Sequence, residues 1–545
     1  MMRHALERSS PFWQPSRSSS QPRSSGRLEG PLRDEVVVVG AGITGAIAAL
    51  FLLRSGKSVT ILEAGALGDG DTSRSTAHVT EVLDARFHHL MARFGEDRML
   101  RYSEAHRMAI HRLGSLLEEL GGPGACGWSR VPGYLYCESE NQYEELQQEL
   151  AAFDRLKIPS ALVKHVPLPF SVAHAIRVEN QAQVDPDAAL QLLLGTFISE
   201  GGRIFENSRA TAISPTRKGV RIATENGSMS ADQCVVATHT PVLTPSVSHF
   251  ELEPKRSYVI AARLKSAPLI DGLFWDMETP YHYLRVAGGQ LIAGGEDHRT
   301  GDRNGRSTPP ERRLEDYVRS RFEVESITAS WSGQVYESID GLPLVGSSLR
   351  STRVFYGTGY GGNGISQGVL AGMVLSELVL GRTEDLTRIL GPHRLIRPRD
   401  LRGLHAALGE RIAVDVSKAA CSALDQRQRL RRLEQGVAAM DVRHNAAFLA
   451  PLQKLQSVGT MPFRIAVGER RPEHADHGAA HPEDEQDDRE RHRAARGGTR
   501  IERRQPDLPD RHPDEHGCER QKDDRRDLRA DPADRAAAHL ALGRQ

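Results

Sequence analysis

The chain has 545 residues, room for two or three domains, and its 71 Lys and Arg balance 71 Asp and Glu, so no global field directs it to nucleic acid or an anionic membrane. Its 5 cysteines, Cys126, Cys137, Cys234, Cys421 and Cys518, show no CxxC or CxH spacing, which argues against a zinc or iron–sulfur ligand set and fits free thiols in a reducing cytoplasm. No apolar run approaches the ~18 residues of a membrane span, and no metal site is expected.

The first 33 residues are rich in Ser, Arg and Pro without an apolar core, so a disordered leader is expected over 1–33 and a secretory signal is not. Order is expected from Asp34. Val36, Val37, Val38 and Val39 form a run too apolar to face water, which predicts a central parallel strand buried on both faces. The run breaks into Gly40, Gly42 and Gly45. Residues 43–55 then carry Ile47, Leu50, Phe51 and Leu53 at helical spacing, with Gly56 as the stop. In this order Gly40 permits a tight turn, Gly42 lets a diphosphate approach the backbone at Ile43 and Thr44, and Gly45 lets helix and strand pack closely.

Such a turn by itself also serves plain strand-to-helix connections. A second strand, 59–62, sharpens the reading because it ends at Glu63 and Ala64, with Glu63 placed 23 residues after Gly40. A carboxylate there accepts hydrogen bonds from an adenosine ribose and disfavours a 2′-phosphate. Together the two features predict an adenine dinucleotide site.

Further along, residues 99–120 read as a helix with Leu113, Leu116, Leu117 and Leu120 on one face, stopped by Gly121, Gly122 and Pro123. A short strand at 133–136 and a helix over about 142–156 follow. Asp185 and Pro186 supply the cap and first position of a helix ending at Gly201 and Gly202. Strands are expected at 203–206, 219–224 and 234–238, with Asn226 and Gly227 as a hairpin turn. More strands read at 258–264, 281–285 and 291–293, and 330–390 returns to glycine-rich α/β character. Residues 471–545 hold 1 Ile, 4 Leu and no Val, Phe, Tyr, Trp or Met. That composition cannot offset an ordering cost of roughly 1–2 kcal/mol per residue, so 400–545 is expected to be a largely disordered, charged tail.

Several segments together resemble the FAD-dependent D-amino-acid-oxidase-like superfamily, which includes glycine, sarcosine and γ-glutamylputrescine oxidases. Gly68 to His78 is similar to the loop that runs along the flavin, here through Thr72, Ser73, Arg74, Ser75, Thr76 and Ala77. Val235 to His239, including Thr238, looks like the strand that follows the second βα unit. Trp331 to Gln334, Asp340 to Gly346 and Gly357 to Gly364 are similar to the closing signature. Within it Gly359, Gly361, Gly362, Asn363, Gly364 and Ile365 would place a helix N-terminus at the flavin's pyrimidine edge. Gln181 to Gln183 and Gly294 to His298 resemble a branch whose members often carry a C-terminal Rieske domain. The resemblance covers roughly 34–395.

The resemblance implies an α/β fold in which a Rossmann-like FAD-binding domain (34–98, 175–245 and 335–395) interleaves with an antiparallel-sheet substrate domain (99–174 and 246–334). It also implies oxidation of a C–N bond in an amine or amino-acid-like small molecule by hydride transfer to flavin N5, and leaves the electron acceptor open. Three departures qualify it. Val335 stands where glycine-type oxidases carry an arginine for the substrate carboxylate. Ser75 stands where covalent relatives carry the flavin-linked histidine, so noncovalent FAD is expected, with His78 a core or supporting residue. No Rieske ligands are present. Tyr281, His282 and Tyr283 are the candidate catalytic residues, since alternate positions of one strand face the same way and two can line a cavity. Core packing is the competing role. Arg285 reads either as a substrate-binding cation or as a solvated strand-end charge. His239 reads as structural, and Arg256 as a flavin brace or a surface charge. An NAD-linked dehydrogenase shares the first glycines but leaves the closing signature unexplained. A noncatalytic FAD-binding assembly or interaction factor is the alternative class.

Overall fold

The computed structural model describes residues 12–13 and 24–395, apart from 123, 241–251, 267–269, 303–307, 349–350 and 383–384. Two sheets organise the described chain. The first has eight strands. Its main path runs Leu344–Ser348, Ser351–Thr358, Gly227–Val236, Gly30–Val39, Val59–Leu62 and Arg203–Phe205, and the hairpin Ala210–Pro215 with Val220–Thr224 attaches to Gly227–Val236. Gly30–Val39 lies parallel between Gly227–Val236 and Val59–Leu62, and residues 36–39 are buried. A valine run explains this directly: a strand covered on both faces has no side on which to place a polar residue.

The second sheet has nine strands. Its path runs Val324–Ser338, Leu252–Leu264, Gln290–Arg299, His282–Ala287, Leu273–Asp276, Ser129–Cys137, His174–Gln183 and His78–Val79, with Ser160–Val163 on the edge of His174–Gln183. All neighbours are antiparallel except Leu273–Asp276 on Ser129–Cys137. Residues 175–183 therefore join this sheet, not the eight-stranded one with which the sequence grouped them.

Helix Ile43–Arg54 leaves the first strand and packs against helix Gly364–Val379. Their approach is close because a Cβ on Gly368 would lie 2.8 Å from Ile43 Cγ2, and one on Gly372 2.8 Å from Thr44 O. Small residues at the crossing set the two helix N-termini side by side, and this arrangement positions the site. Helix Pro186–Ser199 starts as expected, with Asp185 Oδ1 accepting from the Asp187 and Ala188 N–H groups, both at 3.0 Å.

The expected leader is ordered in part. Strand pairing begins at Gly30 opposite Gly227, four residues before Asp34. Leu28 is fully buried, and its N–H donates to Ser208 Oγ at 2.8 Å. Trp13 is 4% exposed and donates its Nε1–H to Ser75 O at 2.9 Å. The rest of the leader and the tail from residue 396 lie outside the described residues. Cys126, Cys137 and Cys234 are buried free thiols. No helix among the described residues is long and apolar enough to cross a membrane.

Candidate active site

A cavity of about 520 Å³ runs between the two sheets, reached by the N-termini of both packed helices. At one end Gly40 has φ +105°, and a Cβ there would lie 2.4 Å from Ala237 O. Gly45 does not line the cavity. Its role is contact, since a Cβ would lie 2.0 Å from Gly40 O. Gly42 occupies the N-cap of Ile43–Arg54 with no side-chain cap, so the backbone donors of that first turn face the cavity. Ile43 N–H meets Thr72 Oγ1 at 3.1 Å. Glu63 is held at the end of its strand by the N–H groups of Ala41 (2.8 Å) and Gly65 (2.9 Å), and it lines the cavity with Ala64.

The loop of residues 70–76 forms the middle wall. Thr72, Arg74, Ser75 and Thr76 line the cavity, whereas Ser73 turns inward and donates to Asp187 Oδ1 at 2.6 Å. Ala77, buried at φ +54°, donates its N–H to Ser75 Oγ at 3.0 Å and also stays behind the wall. Trp331 Nε1 donates to Arg74 O at 2.8 Å and pins the loop to the second sheet. The sequence reading missed Asp71, which lines the cavity and pairs with His239 Nδ1 at 3.0 Å. His239, at φ +63°, and Thr238 line the same stretch. Arg256 is not part of the wall, and its guanidinium donates to Ser332 Oγ at 2.9 Å.

At the other end Gly361, Gly362, Asn363, Gly364 and Ile365 line the cavity. Asn363 caps Gly364–Val379 without a side-chain cap bond, because its Nδ2 donates instead to Val82 O at 2.9 Å. Gly359, at φ +77°, lies behind them against Leu252 and Ser338. Tyr360 also lines the cavity and accepts from Thr44 Oγ1 at 3.2 Å, which ties the two helix N-termini together.

Strand alternation sorts the aromatic candidates. Tyr281 and Tyr283 line the cavity, ring centroids 5.7 Å apart. Burial raises both phenols well above their ordinary range, so both keep their protons at neutral pH. His282 faces away. Its Nδ1 lies 3.0 Å from Asp276 Oδ2 and its ring stacks on Tyr317 at 3.8 Å. His78 lines the cavity edge-on to Tyr283, and burial, helped by Arg285, pulls its pKa down to about 3, so it is neutral.

Arg285 belongs to neither role expected for it. It is 3% exposed and does not line the cavity. Its Nη1 donates to Thr76 O (2.7 Å), Ala77 O (3.0 Å) and Val184 O (3.0 Å), and its guanidinium stacks 5.3 Å over Trp13. Burial pulls its pKa down to about 10 against the attraction of Asp185. Arg285→Leu is expected to lower stability by about 3 kcal/mol in denaturant melts, because carbonyls buried for this cation lose their donor. An unchanged melt with a raised KM would return Arg285 to substrate binding.

Asp84, which no motif flagged, lines the cavity and accepts from Gly362 N–H at 3.0 Å. Asp84 is exposed where its carboxylate opens on the cavity, and desolvation by the protein packed around that corner raises its pKa against the pull of Arg86. A Cβ on Gly362 would lie 2.5 Å from Asp84 Oδ2 and 3.0 Å from the Tyr281 hydroxyl, so these groups converge on one corner. Val335 lines the cavity as well. Behind the corner stand Asp297 and the Lys255–Glu337 ion pair. Burial, reinforced by Asp84 and Glu337, pushes Asp297 up to about 7. From about pH 4 to pH 7 the folded state therefore keeps a proton that the unfolded chain has released, and stability falls as pH rises through that window. Asp297→Asn, neutral throughout, is expected to raise Tm relative to the native chain more at about pH 8 than at about pH 5. Equal changes at both would contradict this.

The sequence model of the family described as FAD dependent oxidoreductase (DAO) matches residues 35–378. The chain is 29% identical over 366 residues to the putative Rieske 2Fe-2S iron-sulfur protein YhfW of Bacillus subtilis (strain 168), covering 66% of this chain and 71% of that one. It is 23% identical over 367 residues to a glycine oxidase of Bacillus licheniformis, covering 64% and 94%. Among solved structures, glycine oxidase from Geobacillus kaustophilus superposes with a TM-score of 0.55 at 19% identity, covering 65% of this chain and 96% of that one. L-proline dehydrogenase from P. horikoshii gives 0.56 at 16%, covering 67% and 98%.

Proposed function

The chain belongs to the family of FAD-dependent oxidoreductases, and from that premise we propose that it holds FAD noncovalently and oxidises the C–N bond of a small cationic amine. The cavity fits the cofactor on its own geometry. Two helix N-termini without side-chain caps open on it, and Gly70, Gly333 and Gly364 line it where an added Cβ would meet nothing within 4 Å. The eight-stranded sheet is the cofactor-binding layer in this reading, and the nine-stranded sheet the substrate layer.

Gly42, Ile43 and Thr44 would hold the diphosphate through backbone N–H groups, and Glu63 the ribose hydroxyls. Residues 72–76 would follow the chain between ribose and ring. The dipole of Gly364–Val379 would stabilise negative charge that develops at the ring. Ser75 offers no nucleophile of the kind that attaches flavin. FAD, when bound, supplies the hydride acceptor.

The carrying observation for the substrate is the corner of Asp84 and Tyr281. Asp84 would pair with the substrate ammonium, and Tyr281 and Tyr283, protonated, would orient it by hydrogen bonds. Val335 and the engaged Arg285 supply no cation for a carboxylate at this corner, which favours an amine over an α-amino acid. Buried free thiols at Cys126, Cys137 and Cys234 support a cytoplasmic setting. Anaerobic mixing of FAD-loaded protein with matched amines and α-amino acids tests the reading. Bleaching of the flavin band by an amine, faster than by its carboxylated analogue, is expected. A yellow protein that no amine bleaches would point to a noncatalytic FAD-binding factor.

A further inference from the structure

Outside the cavity, residue pairs on two helices build a second constellation. Helix Phe87–Phe94 begins with His88 and His89 in its first turn, and helix Tyr143–Arg155 presents Glu145 and Glu149 one turn apart on one face. Glu149 is fully buried, and its carboxylate accepts from Phe87 N–H (2.8 Å), His88 N–H (3.1 Å) and His88 Nδ1 (2.7 Å). It thereby caps the first helix and fixes the His88 ring with the proton on Nδ1. The lone pair of Nε2 is left over. Nε2 is buried and has no hydrogen-bond partner among the described residues.

Two groups stand beside that ring. The His89 ring lies 3.9 Å from the His88 ring, centroid to centroid. One ligand atom from each of His88, His89 and Glu145 falls within 4.8 Å of the others. Arg86 Nε is 3.9 Å from Glu145, too far for a hydrogen bond, so it does not occupy that carboxylate oxygen.

The geometry points to a divalent transition-metal site of the zinc type, formed by His88 Nε2, His89 and Glu145, with Glu149 orienting His88 from behind. Two imidazoles and a carboxylate suit Zn²⁺ and its neighbours and do not suit Mg²⁺ or Ca²⁺, which require oxygen sets. A buried carboxylate on the far nitrogen is the support that ligating histidines require to hold ring and tautomer. Metal–ligand distances of about 2.0–2.2 Å put ligand atoms roughly 3.3 Å apart, so the exposed His89 must close in by side-chain rotation while His88 stays fixed. None of the three residues lines the cavity.

The test uses the full, FAD-loaded chain, stripped with chelator and titrated with Zn²⁺ alone. The chain carries further histidines beyond residue 395, so a site-resolved readout is needed. Diethyl pyrocarbonate modification, read by mass spectrometry on the peptide carrying His88 and His89, supplies it. Zn²⁺ is expected to protect that peptide in the native chain, and Glu145→Gln and His89→Ala to weaken protection by about tenfold or more in Zn²⁺ concentration. Both variants should keep the flavin spectrum and Tm, since neither side chain caps a helix. Mg²⁺ should not protect. Equal modification with and without Zn²⁺, equal protection in native chain and variants, or protection by Mg²⁺ would each overturn the assignment.

Discussion

Gly45→Val should give a chain whose FAD affinity is reduced more than about 100-fold, a loss of roughly 2.7 kcal/mol in binding. The cause is backbone, not side chain. A Cβ at this position would sit 2.0 Å from Gly40 O and 3.1 Å from Gly40 C, with Val38 Cγ1 at 3.3 Å. The two Gly40 backbone atoms cannot rotate away, so helix Ile43–Arg54 must lift off the strand that launches it. The N–H groups of Ile43 and Thr44 then leave the position where a diphosphate would meet them, and Tyr360 loses its bond from Thr44. Gly364→Ala separates this effect from simple misfolding, because a Cβ there meets nothing in the protein and points into the cavity. That variant should melt like the native apoprotein yet bind FAD about tenfold more weakly. FAD titration followed by flavin fluorescence measures both. A Gly45→Val chain that binds FAD normally would contradict the placement of the cofactor.

Asp84→Asn should raise KM for the amine by about a hundredfold or more while FAD affinity stays within about twofold. The amide keeps the shape of the carboxylate, and its oxygen still accepts from Gly362 N–H, so the corner is preserved and only the charge is removed. Loss of one partner from an enclosed ion pair costs about 2–5 kcal/mol, which sets the scale. Burial raises the Asp84 pKa, so the native enzyme should also bind amine more weakly as pH falls and the carboxylate takes a proton. The variant should lack that acid limb. Steady-state kinetics across pH reads both effects, and an unchanged KM would remove Asp84 from substrate binding.

The parts of the molecule that could be read from the sequence are those where one physical requirement forces residue identity. A strand covered on both faces needs an unbroken apolar run, as at residues 36–39, and contact between helix and strand admits only glycine at Gly45. A helix start needs a short acceptor such as Asp185. Where the requirement is weak, the reading failed. Strand Val324–Ser338 is half-exposed on both faces, so no alternation marks it. Helix Pro310–Arg321 buries only Leu314, Tyr317 and Val318 within a charged sequence. Gly30 to Arg33 are exposed except for the partly buried Leu32, so in sequence they resemble a leader.

The site divides along the same line. Backbone cradles at Gly40, Gly42 and Gly361–364 carry a glycine signature. Asp84 and Asp71 do not, since a lone acid in a loop reads as solvated until the fold closes around it. Arg285 misled for the mirror-image reason: three backbone carbonyls from distant segments surround it, and no local pattern announces them. Alternation along the strand says only that Tyr281 and Tyr283 share a face opposite His282, and the sheet register reveals that the two tyrosines face the cavity.

The absorption spectrum of the purified full-length protein, before and after acid precipitation and after FAD is added to the stripped chain, probes the backbone cradle most directly. Flavin bands that leave with the acid supernatant, and return on uptake of one equivalent of FAD, are expected. A colourless protein that takes up no FAD from excess would contradict the account.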